Sequence, residues 1–182
     1  LLDEASNGRT YLGLARGGWL DYVGLEPERP FTALREAFGC VRHLLSRSRE
    51  PFDGLIFPVA GGDALRWEIE RADIPFLLGT WGARTIAACI DQIHEIKIGG
   101  SANPDVIPHF RQMITDAQDN EADSRRKVDI AIGAVTVVDE DGVAARALAR
   151  REVALYLPIV AKLDPTLDLD PGLVARLSEA AN

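Results

Sequence analysis

Leu78-Gly79-Thr80-Trp81-Gly82-Ala83-Arg84 is the stretch whose reading decides the fold. It closes an apolar run over residues 74–79 and opens an amphipathic one over residues 83–93, with almost nothing between them. Apolar residues without steady alternation are the pattern of a strand covered on both faces. A glycine-bearing junction that passes straight into helical spacing makes this a strand-then-helix unit.

The same unit recurs in both directions. Upstream, residues 10–15 form a β-rich run ending in Gly13-Leu14-Ala15-Arg16-Gly17-Gly18-Trp19. The helix that follows starts at Pro30, a good first-turn residue, and puts Phe31, Leu34, Phe38, Val41 and Leu45 on one face. Downstream, residues 95–98 lead through Lys97-Ile98-Gly99-Gly100-Ser101-Ala102-Asn103-Pro104 into a helix over residues 105–118. A fourth run, residues 128–138, passes through Asp139-Glu140-Asp141-Gly142 into a helix over residues 142–157. Strand-helix alternation predicts an α/β fold with a parallel sheet, either an open doubly wound sheet or a closed barrel.

Residues 46–73, between the first long helix and the second strand, are polar and punctuated by Pro and Gly. We expect a surface excursion with a small hairpin around the apolar run at residues 55–59. Asp164 and Asp170 each precede a proline and can cap a short helix. The chain opens at Leu1 in what reads as the last turn of a helix closed by Asn7-Gly8, and it ends within a helix. A closed barrel of eight units takes ~250 residues. Residues 1–182 are therefore expected to form one partial barrel domain, the remaining strands coming from a longer protein or from another chain.

Composition narrows the partners. At 47% hydrophobic and 26% charged residues the chain is of ordinary globular type. A formal net charge of −8 argues against nucleic acid or an anionic membrane, both of which need a basic face. No stretch reaches the ~20 apolar residues of a membrane helix, and the N-terminus has no signal-peptide pattern, so a soluble cytoplasmic protein is expected. Cys40 and Cys89 fall on apolar helix faces and read as buried thiols in a reducing compartment. His43, His94 and His109 have no carboxylate or cysteine at ligand spacing, and no metal site is expected.

Chemistry is expected at three strand ends. Arg16 between glycines can grip a phosphate while Gly17 and Gly18 let backbone approach it. Gly79, Thr80, Trp81 and Gly82 precede a helix start, where amides suit a phosphate or the polar edge of a flavin-like ring. Gly99, Gly100 and Ser101 repeat the arrangement. One such turn means little; three on one rim point to a bound anionic ligand. None is a dinucleotide or P-loop fingerprint. Trp19 and Trp81 lie just past strand ends, where an aromatic can wall a ring.

At these residues the chain resembles the luciferase-like monooxygenase superfamily, in the branch that includes coenzyme F420-dependent methylenetetrahydromethanopterin reductase. The resemblance is carried by Asn7-Gly8-Arg9-Thr10-Tyr11-Leu12-Gly13-Leu14-Ala15-Arg16-Gly17, by Arg29-Pro30 with Leu34-Arg35-Glu36-Ala37, and by residues 75–82, 97–104 and 133–142. It implies a (β/α)8 barrel of which this chain supplies strands four to seven. Arg16 then matches an arginine that reaches the cofactor phosphate, and Gly79, Thr80, Trp81 and Gly82 match a turn that contacts the cofactor. Gly18 stands where some deazaflavin-using members have a catalytic glutamate. His94-Glu95 replaces the usual acidic and small pair before strand six.

The resemblance implies an oxidoreductase that moves a hydride between coenzyme F420 and an organic substrate, a CH–NH or CH–OH donor. FMN-dependent oxygen chemistry is the alternative. A non-catalytic partner subunit, favoured by Gly18, and a sugar-phosphate-binding barrel are the competing readings. The expected partners are a small-molecule substrate and further copies of the chain, a homo-oligomer with a dimer as its simplest form.

Overall fold

The computed structural model describes residues 1–18, 20–119 and 126–180. Its α/β core is a four-stranded parallel sheet in the order β1-β2-β3-β4, with β1 at Leu12–Ala15, β2 at Phe76–Gly79, β3 at Glu95–Gly99 and β4 at Asp129–Gly133. The helices are α1 (Leu2–Ala5), α2 (Pro30–Leu45), α3 (Ala83–Cys89), α4 (Ile107–Asp119), α5 (Gly142–Leu163) and α6 (Pro171–Ala180). Strand order follows chain order without the reversal that a doubly wound sheet requires at its switch point. Of the two architectures open to the sequence, this is the barrel's. By contact density the chain divides into two compact units, Leu1–Ile96 with Met113–Asp129, and Lys97–Gln112 with Ile130–Asn182.

In the first unit β2 is the centre of the core. Phe76, Leu77 and Leu78 are all buried, so both faces of the strand are covered. β1 pairs with it in parallel, Leu12 opposite Phe76 and Ala15 opposite Gly79. Pro30 starts α2 at its first turn, and the predicted apolar face delivers Leu34 and Phe38 to the core. The Phe38 and Phe76 rings pack tilted, with centroids 5.1 Å apart, and the Arg42 guanidinium lies over the Phe76 ring, 4.1 Å from its centroid. Removing a fully buried phenylalanine such as Phe38 costs about 3–5 kcal/mol.

Polar links tie α2 to its neighbours. Arg35 binds Asp91 in bidentate fashion at 2.6 and 2.8 Å and donates to the Ala88 carbonyl, fixing α2 against the end of α3. Glu36 receives three consecutive backbone amides, Leu55, Ile56 and Phe57, at 2.9, 2.7 and 3.2 Å. Those bonds, led by the one from Ile56, hold its carboxyl below the ordinary value. Within the excursion Phe52 and Val59 exchange two backbone hydrogen bonds as an antiparallel bridge. Arg71 at its far end reaches Asp3 of α1 and the Thr10 carbonyl.

β4 is shorter than the sequence predicts. The apolar run continues to residue 138, but ladder pairing stops at Gly133 and Val138 is 91% exposed. β-Branched residues without a paired neighbour do not make a strand. In the second unit Asp141 caps α5, its side chain accepting from the Val143 amide at 2.8 Å. α5 runs through Pro158 and ends at Leu163, beyond the expected stop at residue 157. Asp170 accepts from the Leu173 amide and opens α6, whereas Asp164 organises a turn at Thr166 rather than a helix. Among the described residues, no helix is long and apolar enough to cross a membrane.

Candidate functional site

The parallel register of β1 and β2 decides where the first two predicted turns lie. Ala15 sits opposite Gly79, so the residues that follow each leave the sheet side by side. A Cβ on Gly79 would stand 3.0 Å from the Ala15 Cβ, which is why this last paired position is glycine. Gly17 has φ +95°, a left-handed conformation that favours glycine, and a side chain there would press on Leu20. Gly18 is different: a Cβ at this position meets nothing within 4 Å.

Arg16 emerges beside these glycines with about half of its side chain exposed, and its Nη2 donates to Glu26 Oε1. Glu26, which the sequence reading missed, stands ten residues away on the surface loop between β1 and α2. A guanidinium carries five donors, so one carboxylate oxygen leaves capacity for a phosphate. An anion meeting Arg16 would share the guanidinium with Glu26.

The second turn is partly self-satisfied. Thr80 Oγ1 accepts from the Gly82 amide at 3.0 Å, consuming one of the N–H groups expected to face a ligand. Gly82 is the N-cap of α3, but α3 has only seven residues and its dipole adds little. Trp81 is half-buried. Trp19 lies outside the described residues.

The third turn, at the end of β3, belongs to the second unit. Gly100 has φ +83° and its amide donates to the Gly133 carbonyl at 2.8 Å. Ser101 is 8% exposed, and its hydroxyl oxygen accepts from the Asn103 amide at 3.1 Å. Asn103 in turn caps the short turn before α4, accepting from Asp105. At Gly99 a Cβ meets nothing within 4 Å.

The remaining titratable groups are structural. Burial pushes the Cys89 thiol up to about 11, which leaves it protonated and unreactive; Cys40 is half-buried, and its thiol is raised for the same reason. His94 stitches the sheet: its amide donates to the Phe76 carbonyl, its carbonyl accepts from Asp129, and its Nδ1 accepts from the Phe76 amide at 3.1 Å. Burial, reinforced by Arg126 and Arg42, lowers its pKa and keeps the ring neutral. The His94-Glu95 replacement thus has a structural account. His43 packs its ring 5.6 Å from that of Phe52, and His109 lies beside Phe110.

Taken unit by unit, the first has a partly exposed guanidinium at Arg16 beside open space at Gly18, and the second has open space at Gly99 beside a buried hydroxyl at Ser101; each set has the chemistry to meet an anionic group. Parallel strands in chain order, each handing over to a helix through a glycine-bearing turn, define the (β/α)-barrel class of protein, a class in which ligand sites are built at the carboxyl ends of the strands. The chain belongs to the luciferase-like monooxygenase family, whose model matches residues 1–172.

A curated relative, the 5,10-methylenetetrahydromethanopterin reductase of Archaeoglobus fulgidus, is 27% identical over 187 aligned positions, covering 100% of this chain and 54% of the relative. Among solved structures, the coenzyme F420-dependent tetrahydromethanopterin reductase from Methanopyrus kandleri superposes with a TM-score of 0.68 at 19% identity, covering 94% of this chain and 51% of that one. An F420-dependent secondary alcohol dehydrogenase in complex with an F420-acetone adduct gives 0.69 at 18% identity, covering 97% and 54%. The monooxygenase RslO1 from Streptomyces bottropensis gives 0.59 at 19% identity, covering 98% and 54%. At these identities the structures establish the fold, a partial (β/α)8 barrel; the chain spans about half the length of each relative.

Proposed function

We propose that this chain forms the cofactor-holding part of an oxidoreductase that transfers a hydride between coenzyme F420 and an organic substrate. The observation that supports the reading is the register of β1 and β2, which pairs Ala15 with Gly79 and so starts the turns at Arg16 and at Thr80 from neighbouring strand ends. The F420-dependent relatives support the choice of cofactor. A bound deazaflavin supplies the ring that gives or takes the hydride. Arg16 would hold the cofactor phosphate, exchanging Glu26 for it. The glycines at 17, 18, 79 and 82 would let backbone close on the ligand and Trp81 would wall the ring; Gly99, Gly100 and Ser101 are candidate contacts for a polar group within their own unit.

FMN is the second choice, supported by the monooxygenase likeness and by the fact that Arg16 suits either phosphate. Gly18 favours a further reading, a non-catalytic partner subunit, since glycine has no proton to transfer. The substrate in the leading reading is a small molecule with a CH–NH or CH–OH donor, in the cytoplasm, acted on by a homo-oligomer. The test is fluorescence titration of the complete protein with F420 and with FMN. Binding of either, weakened about tenfold or more by Arg16→Ala, is expected for a charge-assisted phosphate contact; a protein that binds neither is not a redox enzyme of this kind.

A further inference from the structure

The carboxylate of Asp164 is buried, 2% exposed, at the C-terminal end of α5. A buried carboxylate is costly unless its oxygens are bonded, and both of these are. Oδ1 accepts from the Thr166 amide at 2.9 Å and from the Thr166 hydroxyl at 2.6 Å. Oδ2 accepts from Asn103 Nδ2 at 3.2 Å, and the same Asn103 nitrogen reaches Thr166 Oγ1 at 2.9 Å. Burial pushes this carboxyl up, but the bonds from Thr166 and Asn103 outweigh it and leave it below the ordinary value, so it is an ionised acceptor.

Asn103 faces two ways. Its side chain is held by Asp164 and Thr166, while its backbone amide donates to the hydroxyl of Ser101, one of the predicted ligand-facing residues. The same end of α5 touches the turn again: a Cβ on Gly100 would come 3.1 Å from Val160 Cγ2, and Val160 accepts the Asp164 amide at 2.8 Å. The Gly133 carbonyl, at the end of β4, accepts the Gly100 amide. The turn after β3 is thus clamped between the end of β4 and the end of α5, all within one compact unit.

We propose that Asp164 is a positioning residue for the cofactor-binding turn: through Asn103 it fixes Gly99, Gly100 and Ser101 in the shape that receives a phosphate or polar cofactor edge. This rests on the hydride-transfer reading above. Asp164 itself is buried, with both carboxylate oxygens committed to Thr166 and Asn103, and so acts through them. Its role is to keep the Asn103 amide aimed at Ser101, so that the Ser101 hydroxyl oxygen stays occupied and its hydrogen points outward to donate.

The test uses the complete protein carrying this chain, with coenzyme F420 and FMN as probes and two readouts, cofactor affinity by fluorescence and amide hydrogen exchange in the peptide spanning residues 97–104. Asp164→Asn sets an amide donor against the Asn103 donor without changing shape. It is expected to weaken affinity about tenfold, as misplacing a charge-assisted bond does, and to speed exchange in that peptide while the β1 peptide is unchanged. Adding Asn103→Asp restores a donor facing an acceptor between positions 164 and 103 but gives up the bond from Asn103 to the Thr166 hydroxyl, so affinity is expected to recover in part, by about threefold over the single variant.

Unchanged affinity in Asp164→Asn, or a double variant no better than the single, overturns the proposal. Should Asp164→Asn not fold, Thr166→Val removes only the hydroxyl and is expected to weaken affinity about threefold; no weakening overturns the proposal equally. A parent protein that binds neither probe overturns the hydride-transfer reading instead. Exchange then decides the clamp by itself: acceleration confined to residues 97–104 supports it, and none overturns it.

Discussion

The turns after β1 and after β3 have similar composition, glycines beside one polar residue, yet they are built differently. Arg16, in the first, is half exposed and held by an ion pair with Glu26, while Gly18 beside it has open space on its side-chain side. In the third, Ser101 is buried, the Gly100 amide is committed to Gly133, and Asn103 is held by Asp164 and Thr166. An exposed ion pair contributes little to rigidity, since it is screened by water. The difference teaches that the first turn offers charge on a side chain free to re-aim, and the third a backbone path already set. The first suits capture of an anion by charge, the second presentation of fixed backbone groups.

Glycine substitutions give the largest separation between the two. Gly100→Ala places a Cβ at φ +83° and 3.1 Å from Val160 Cγ2, and about 2–3 kcal/mol of stability should be lost. Gly18→Ala has neither problem and should stay within about 0.5 kcal/mol. Urea midpoints of the two variants measure this. Equal losses would mean that the two turns are equally rigid and would break the comparison.

Ligand affinity should show the opposite ranking. Arg16→Ala is expected to weaken F420 or FMN binding about tenfold or more while moving stability by no more than about 0.5 kcal/mol, because the Glu26 pair it removes is exposed. Glu26→Gln removes the carboxylate that competes for the guanidinium. Tighter binding by about two- to fourfold is expected, the range an exposed pair is worth, read by the same titration. Weaker binding would mean that Glu26 aims Arg16 rather than competing for it.

The local parts of this picture were legible in the sequence. Phe76-Leu77-Leu78 announces a strand covered on both faces, and Leu34 and Phe38 announce the inner face of α2, because periodicity reports burial directly. The glycines at 17 and 100 were legible as turn residues for the same local reason. What joins distant residues was not. Glu36 lies about twenty positions from the amides it gathers, and Asp164 lies 61 positions from Asn103. No spacing rule covers such pairs. β4 fails in the other direction: residues 128–138 have strand composition throughout, yet only the part that finds a ladder partner becomes one.

Gly18→Glu carries the smallest structural effect and the sharpest functional meaning. Gly18 is exposed, avoids the left-handed region and would present its Cβ to empty space, so a glutamate should fold there with stability changed by no more than about 0.5 kcal/mol. Its carboxylate would stand two residues from Arg16 and draw on the same guanidinium, so cofactor affinity should fall by about twofold, less than for Arg16→Ala. Turnover separates the remaining readings. Where the parent binds cofactor but is inactive and the variant gains steady-state hydride transfer, the missing acid was the only defect, and the parent acts as a binding partner. Where the parent is already active, its proton donor stands elsewhere, and an added carboxylate beside Arg16 can only slow it through weaker binding.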